Sequence, residues 1–109
     1  MEEDKSTAQF EEMSNEELRG CRLRGSALEK IRRLVRAIKA YNEQQAERKL
    51  QWAINVKTLE DLSGSHSKAV RAYLDSDEGR LQVTDYNLEK GFGYHQNKGK
   101  GDIKQVIRW

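Results

Sequence analysis

Between Ala27 and Tyr41 the apolar residues Leu28, Ile31, Leu34, Val35, Ile38 and Tyr41 recur at steps of three and four. No other feature restricts the fold as much, because such steps line up side chains only on one face of a 3.6-residue helix. Ser26 and Glu29 have the spacing of a capping box just ahead of the run, so the pattern predicts a helix from Ala27 to a point between Gln44 and Leu50. Its opposite face carries Lys30, Arg32, Arg33, Arg36 and Lys39. Such a row is read as the solvated side of a core helix, as cations laid along a phosphate backbone, or as a coiled-coil or membrane-surface helix. Tyr41 is the only aromatic on the apolar face, which argues against the membrane. The chain has no proline, in keeping with a mostly helical fold.

A chain of 109 residues makes one domain with a modest core. Residues 14–109 are expected to form it, behind an acidic flexible tail at 1–13 that beyond its first residue has only Phe10 and Met13 as large apolar side chains to bury. The net charge of +2 conceals a strong asymmetry. Residues 1–17 hold seven acids and one base, residues 18–50 ten bases and three acids, and residues 51–109 nine bases and eight acids. The tail either stays mobile or folds back on the basic surface in competition with an anionic ligand. A lone cysteine, Cys21, forms no internal disulfide, and no stretch is long and apolar enough to span a bilayer, so a cytoplasmic protein is expected.

From Trp52 to Asp77 two short periodic segments meet at Ser63-Gly64-Ser65. Leu59 and Leu62 form one apolar edge, and Ala69, Val70, Tyr73 and Leu74 the other. Gly64 is placed to stop the first helix, and Ser65 or Ser67 to cap the second. With Leu59, Gly64, Val70 and Tyr73/Leu74 at this spacing, the stretch resembles the helix-turn-helix of DNA-binding proteins over about 20 residues. It departs from that motif at Glu60, where the family has a small residue. Trp52, Ile54 and Val56 alternate as in a short strand, which is similar to the order of elements in winged-helix domains, although Asn55 would equally serve as a helix cap. The fold expected is mainly α: a small helical domain with a helix-turn-helix, and a minor β component if it is winged.

The resemblance implies that the second helix enters the major groove, with Ser65, His66, Ser67, Lys68 and Arg71 near its N-terminus. Arg71 would pair with guanine, His66 and Ser67 would meet bases or phosphates, and Lys68 would meet a phosphate. Arg32, Arg33 and Arg36 on the long helix, and Lys98 and Lys100 in the glycine-rich loop Gly91–Gly101, would hold the backbone. A homodimer would bridge two half-sites one helical turn apart through the long helix or the C-terminal segment. The function expected is non-catalytic binding of double-stranded DNA, by a small regulator or accessory factor in transcription, replication or recombination. The alternative is an adaptor domain that meets a protein through the basic amphipathic helix 27–44 and Trp109. RNA binding, with Phe92 and Tyr94 as stacking platforms, is a third reading.

Residues 76–90 read as a helix capped by Ser76 and stopped by Gly91, with Leu81, Asp85 and Leu88 on one side, or as a strand over 80–86 leading to a wing. Ser14 and Glu17 mark a further capping box opening a short helix through Leu18, and Ile103, Val106 and Ile107 a short apolar element that docks the chain end. Chemistry finds little support. His66, His95 and Cys21 lack zinc spacing, no phosphate-loop or nucleophile-elbow run is present, and no cofactor, metal or small-molecule substrate is expected. His95-Gln96-Asn97 resembles the His and Asn of small nucleases without their other catalytic groups. Tyr86 and Tyr94 invite comparison with tyrosine recombinases and telomere resolvases, of which a chain this short would resemble only an accessory DNA-binding module.

Overall fold

The computed structural model describes residues 10–21, 25–63, 67–93 and 95–109, and is mainly helical with no strand among them. The expected turn residues Gly64, Ser65 and His66 lie outside the described residues, as do Tyr94, residues 22–24 and residues 1–9 of the acidic segment. A short helix α1, Asn15–Arg19, opens on the predicted capping box: Ser14 Oγ accepts the Glu17 N–H, and the Glu17 carboxylate accepts the Ser14 N–H, both at 3.1 Å. Packing starts earlier, at Phe10, which is buried and whose carbonyl accepts a hydrogen bond from Arg33, so residues 10–13 belong to the folded body.

The long helix α2, Ser26–Glu43, begins one residue before the expected start and stops just short of the expected Gln44–Leu50 range, with Gln44 as its C-cap, and sends Ile31, Leu34, Val35 and Ile38 into the core. Its N-terminus differs from expectation. Gly25 is the N-cap, the Ser26 hydroxyl turns toward the Cys21 carbonyl, and Glu29 is taken by Arg33 at 2.9 Å, so no capping box closes there. Leu28 stays 40% exposed on the rim of the apolar face. Helices α3, Val56–Ser63, and α4, Ser67–Asp75, pack on α2 and on each other, contributing Leu59, Val70 and Tyr73.

After α4 the chain enters a helical rod, α5, built from Asp77–Gly79, a π turn at Arg80–Thr84, and Asp85–Lys90. The helical reading of 76–90 therefore holds, with the Ser76 hydroxyl accepting the Gly79 N–H and Gly91 in the left-handed conformation at the stop. Gly79 lets α5 start against the last turn of α4: a Cβ there would lie 1.9 Å from the Tyr73 carbonyl oxygen. The chain ends in a 3-10 turn, Ile103–Gln105, that buries Ile103 and is followed by buried Ile107; Trp109 rests against the core with the Arg19 guanidinium 5.6 Å from its ring.

The strand expected at Trp52–Val56 is absent. Residues 52–55 have no regular secondary structure, and side chains take the place of a neighbouring strand. Asn42 accepts the Trp52 N–H at 2.8 Å and donates to the Trp52 carbonyl at 2.9 Å. Asn97 grips Ala53 in the same way at 2.8 and 2.9 Å, and Asn87 grips Ile54 at 3.1 and 2.8 Å. Asn55 then caps α3, exchanging hydrogen bonds with Thr58. Every main-chain N–H and C=O from 52 to 54 is thus satisfied without a ladder, as buried backbone must be.

Candidate nucleic-acid interface

Helix α4 buries Val70 and Tyr73 and half-buries Ala69 and Leu74, so Ser67, Lys68, Arg71, Ala72 and Asp75 are left facing water. Lys68 and Arg71 are three apart and share a stripe. Neither has an ion-pair partner among the described residues. A flexible guanidinium and an ammonium on one exposed edge are free to meet acceptors on an approaching surface.

A second group of cations lies where the 3-10 turn Arg48–Leu50 meets the glycine-rich loop. The Gln96 side chain donates to the carbonyls of Arg48 at 2.7 Å and Gln51 at 2.9 Å, and the Lys100 ammonium donates to the Lys49 carbonyl. These bonds pin the loop to the turn and bring Arg48, Lys49, His95, Lys98 and Lys100 around one concavity of about 570 Å³ that no carboxylate among the described residues lines. Glycine matters at one point here, for Gly91 turns the chain into the loop with φ 76°, a left-handed conformation that a side chain would strain. A neighbouring cleft of about 810 Å³ shares His95 and Lys98 and is floored by Trp52, Ala53 and Ile54. Lys57 of α3 stands at its edge, 3.5 Å from Asp61.

The cations of α2 are placed differently. Arg32 is held by Glu78 of α5 through two hydrogen bonds of 2.8 and 2.7 Å. Arg33 bonds Glu29, Asn15 and the Phe10 carbonyl, each at 2.9 Å, and Lys30 donates to the Cys21 carbonyl. Lys39 donates to Gln82 and sits 4.8 Å from the centre of the Tyr86 ring, and its burial holds its pKa below the ordinary lysine value. Arg36, whose side chain is 68% exposed, reaches Glu29 only at 3.4 Å. Of the three arginines predicted to face phosphate, the structure leaves Arg36 reaching outward and engages Arg32 and Arg33 within the molecule.

The Arg32–Glu78 pair also shapes Tyr73. Burial first, and then the Glu78 carboxylate, push the Tyr73 phenol up to about 12, while the hydrogen bonds from Arg32 hold the Glu78 carboxyl below its usual value. This buried edge of α4 is therefore braced by α2 and α5, leaving the opposite edge as the presented one.

Sequence reasoning named Ser67, Lys68, Arg71, Lys98 and Lys100, all of them described here, and missed Arg48, Lys49 and Lys57. Arg48 and Lys49 fall at the uncertain end of the long helix, and the signal that could have found them is the basic block 18–50 to which they belong. Among the described residues no three His, Cys, Asp or Glu side chains converge as metal ligands, and no helix is long and apolar enough to cross a membrane. No protein-family model, curated protein or solved structure matches the chain.

Proposed function

We propose that the chain is a non-catalytic domain that binds double-stranded DNA, with α3 and α4 as a helix-turn-helix and α4 as its reading helix. The observation that carries this reading is the pair of cations Lys68 and Arg71 on the exposed edge of α4, without ion-pair partners among the described residues, in a chain that also gathers Arg48, Lys49, Lys98 and Lys100 around a concavity that no carboxylate of the described residues lines. Arg71 meets a base edge, Lys68 a phosphate, and the glycine-lysine loop holds the backbone in the place a wing would take. A role as a small regulator or accessory factor in transcription, replication or recombination fits such a module. The adaptor alternative, which uses the basic amphipathic helix 27–44 and Trp109, has less to offer a partner, because the apolar face of α2 is inside the core, Arg32 and Arg33 are bonded within the molecule and Trp109 rests against the core.

Fluorescence anisotropy on labelled duplexes over a range of salt concentrations tests the proposal. Five cations on phosphates, Lys68 with Arg48, Lys49, Lys98 and Lys100, give a log-log salt slope of about −4 to −5, close to a five-hundredfold loss of affinity between 50 and 200 mM salt, by the roughly −0.9 per phosphate of B-DNA. Binding that is absent or indifferent to salt overturns the proposal, and tighter binding to single-stranded RNA than to duplex DNA replaces it with the RNA reading.

A further inference from the structure

Helix α5 shows solvent a stripe that repeats every four residues: Arg80 and Leu81, Thr84 and Asp85, Leu88 and Glu89. Leu81 and Leu88, 63% and 74% exposed, are the two most exposed large apolar side chains among the described residues. A regular α-helix drifts by about 40° over each four-residue step. The wider turn at Arg80–Thr84 takes up that drift, so both leucines stay on the outer side while Val83 stays buried. Arg80, Asp85 and Glu89 have no ion-pair or side-chain hydrogen-bond partner among the described residues. The stripe is thus an apolar pair flanked by charges that nothing among the described residues neutralises.

Its charges decide what covers it. Laid antiparallel on itself about an axis between Thr84 and Asp85, the stripe sets Leu81 against Leu88 of a second copy, and Arg80 against Glu89, at both ends. Laid parallel, it would set Asp85 against Asp85 and Glu89 against Glu89, which like-charge repulsion disfavours. We propose that this face of α5 is a self-complementary, antiparallel two-fold interface for a second copy of the chain. The contact spans ten residues, about 15 Å of helix, and buries less than the roughly 800 Å² per partner of a standard stable interface. The dimer is therefore dissociable and forms at high concentration or when two chains are held side by side. It does not depend on the DNA-binding reading.

Sedimentation equilibrium of the full chain without DNA, up to about 1 mM, tests it. Wild type self-associates, and Arg80→Glu and Glu89→Arg each weaken association by about tenfold or more through repulsion at both ends. An equimolar mixture of the two variants regains the wild-type affinity, since each end of the mixed dimer again joins one carboxylate to one guanidinium. Fold damage would not be repaired by mixing. A wild type that stays monomeric over the whole range, a wild type whose association neither substitution changes, or a mixture no better than its components overturns the proposal.

Discussion

Asn42, Asn87 and Asn97 each offer one side-chain N–H and one carbonyl to a single residue of the run from 52 to 54, and so copy one rung of a β-ladder. The three rungs are not equal. Asn42 is 0% exposed and gives its second N–H to the Tyr86 hydroxyl, so its loss leaves the buried Trp52 N–H and Trp52 carbonyl without a partner, while the partly buried hydroxyl can turn to water. Asn42→Ala is expected to cost about 2–6 kcal/mol, at roughly 1–3 for each of the two buried main-chain groups left unpaired. Asn97 is half-exposed, so water substitutes for its amide, and Asn97→Ala should cost only about 1 kcal/mol. Urea denaturation reads both, as a shift of midpoint at constant slope. Gly79 gives a second residue-scale outcome, of unusual sign. Alanine in place of a helical glycine normally stabilises by up to about 1 kcal/mol, but here the added methyl would sit 1.9 Å from the Tyr73 carbonyl oxygen. Gly79→Ala is therefore expected to destabilise by about 2–3 kcal/mol as α5 is pushed off α4, and a stabilised variant in the same urea titration would contradict this packing.

Three helices meet at Glu78: Arg32 comes from α2, Tyr73 from α4, and Glu78 itself opens α5. Arg32 holds the folded-state carboxyl below its ordinary value of 4.5, so its contribution to stability is present at neutral pH and is lost as pH falls from 4.5 through the lower folded-state value. Tyr73 works at the other end. Its phenol is raised from 10 to about 12, so above pH 10 the unfolded chain ionises first, and the stabilisation present below pH 10 is lost as pH rises toward 12. Chemical denaturation across pH should show Glu78→Gln with a flatter acid limb and Tyr73→Phe with a flatter alkaline one. Ultraviolet titration of Glu78→Gln should place the Tyr73 phenol between 10 and 12, because burial, the larger cause, remains. The same corner explains which elements could be read from the chain alone. A helix writes its buried face into residues three and four apart, and so α2, the Ser14–Glu17 box, the Ser76 cap and the Gly91 stop were all legible. Alternation at 52–56 was legible too, but it reports only that side chains point two ways. What makes those residues a clasped segment is amides 10, 33 and 44 positions away, and what removes Arg32 from the surface is a carboxylate 46 positions away. Local spacing carries neither fact.

For the whole molecule, the basic residues divide into groups whose loss should be felt in different measurements. Arg48 and Lys98 line the basic concavity of the loop, where each neutralises phosphate charge without reading a base. The double substitution Arg48→Ala/Lys98→Ala is expected to weaken binding to every duplex alike and to lower the salt slope by about 2, one unit for each counterion no longer released. Arg71 stands on the exposed edge of α4. Arg71→Ala should cost about 1–3 kcal/mol on a preferred sequence selected from a random duplex library, and little on other sequences, because a bidentate contact to guanine is what it removes. Arg32 belongs to neither group. Its two bonds to Glu78 tie α2 to α5, so Arg32→Ala should lower the urea midpoint while leaving the salt slope unchanged in the fraction that remains folded. The three variants measured together separate a binding surface from a merely basic protein. If all of them reduced the slope equally, affinity would follow net charge alone, and neither the edge of α4 nor the loop concavity would have a distinct part in it.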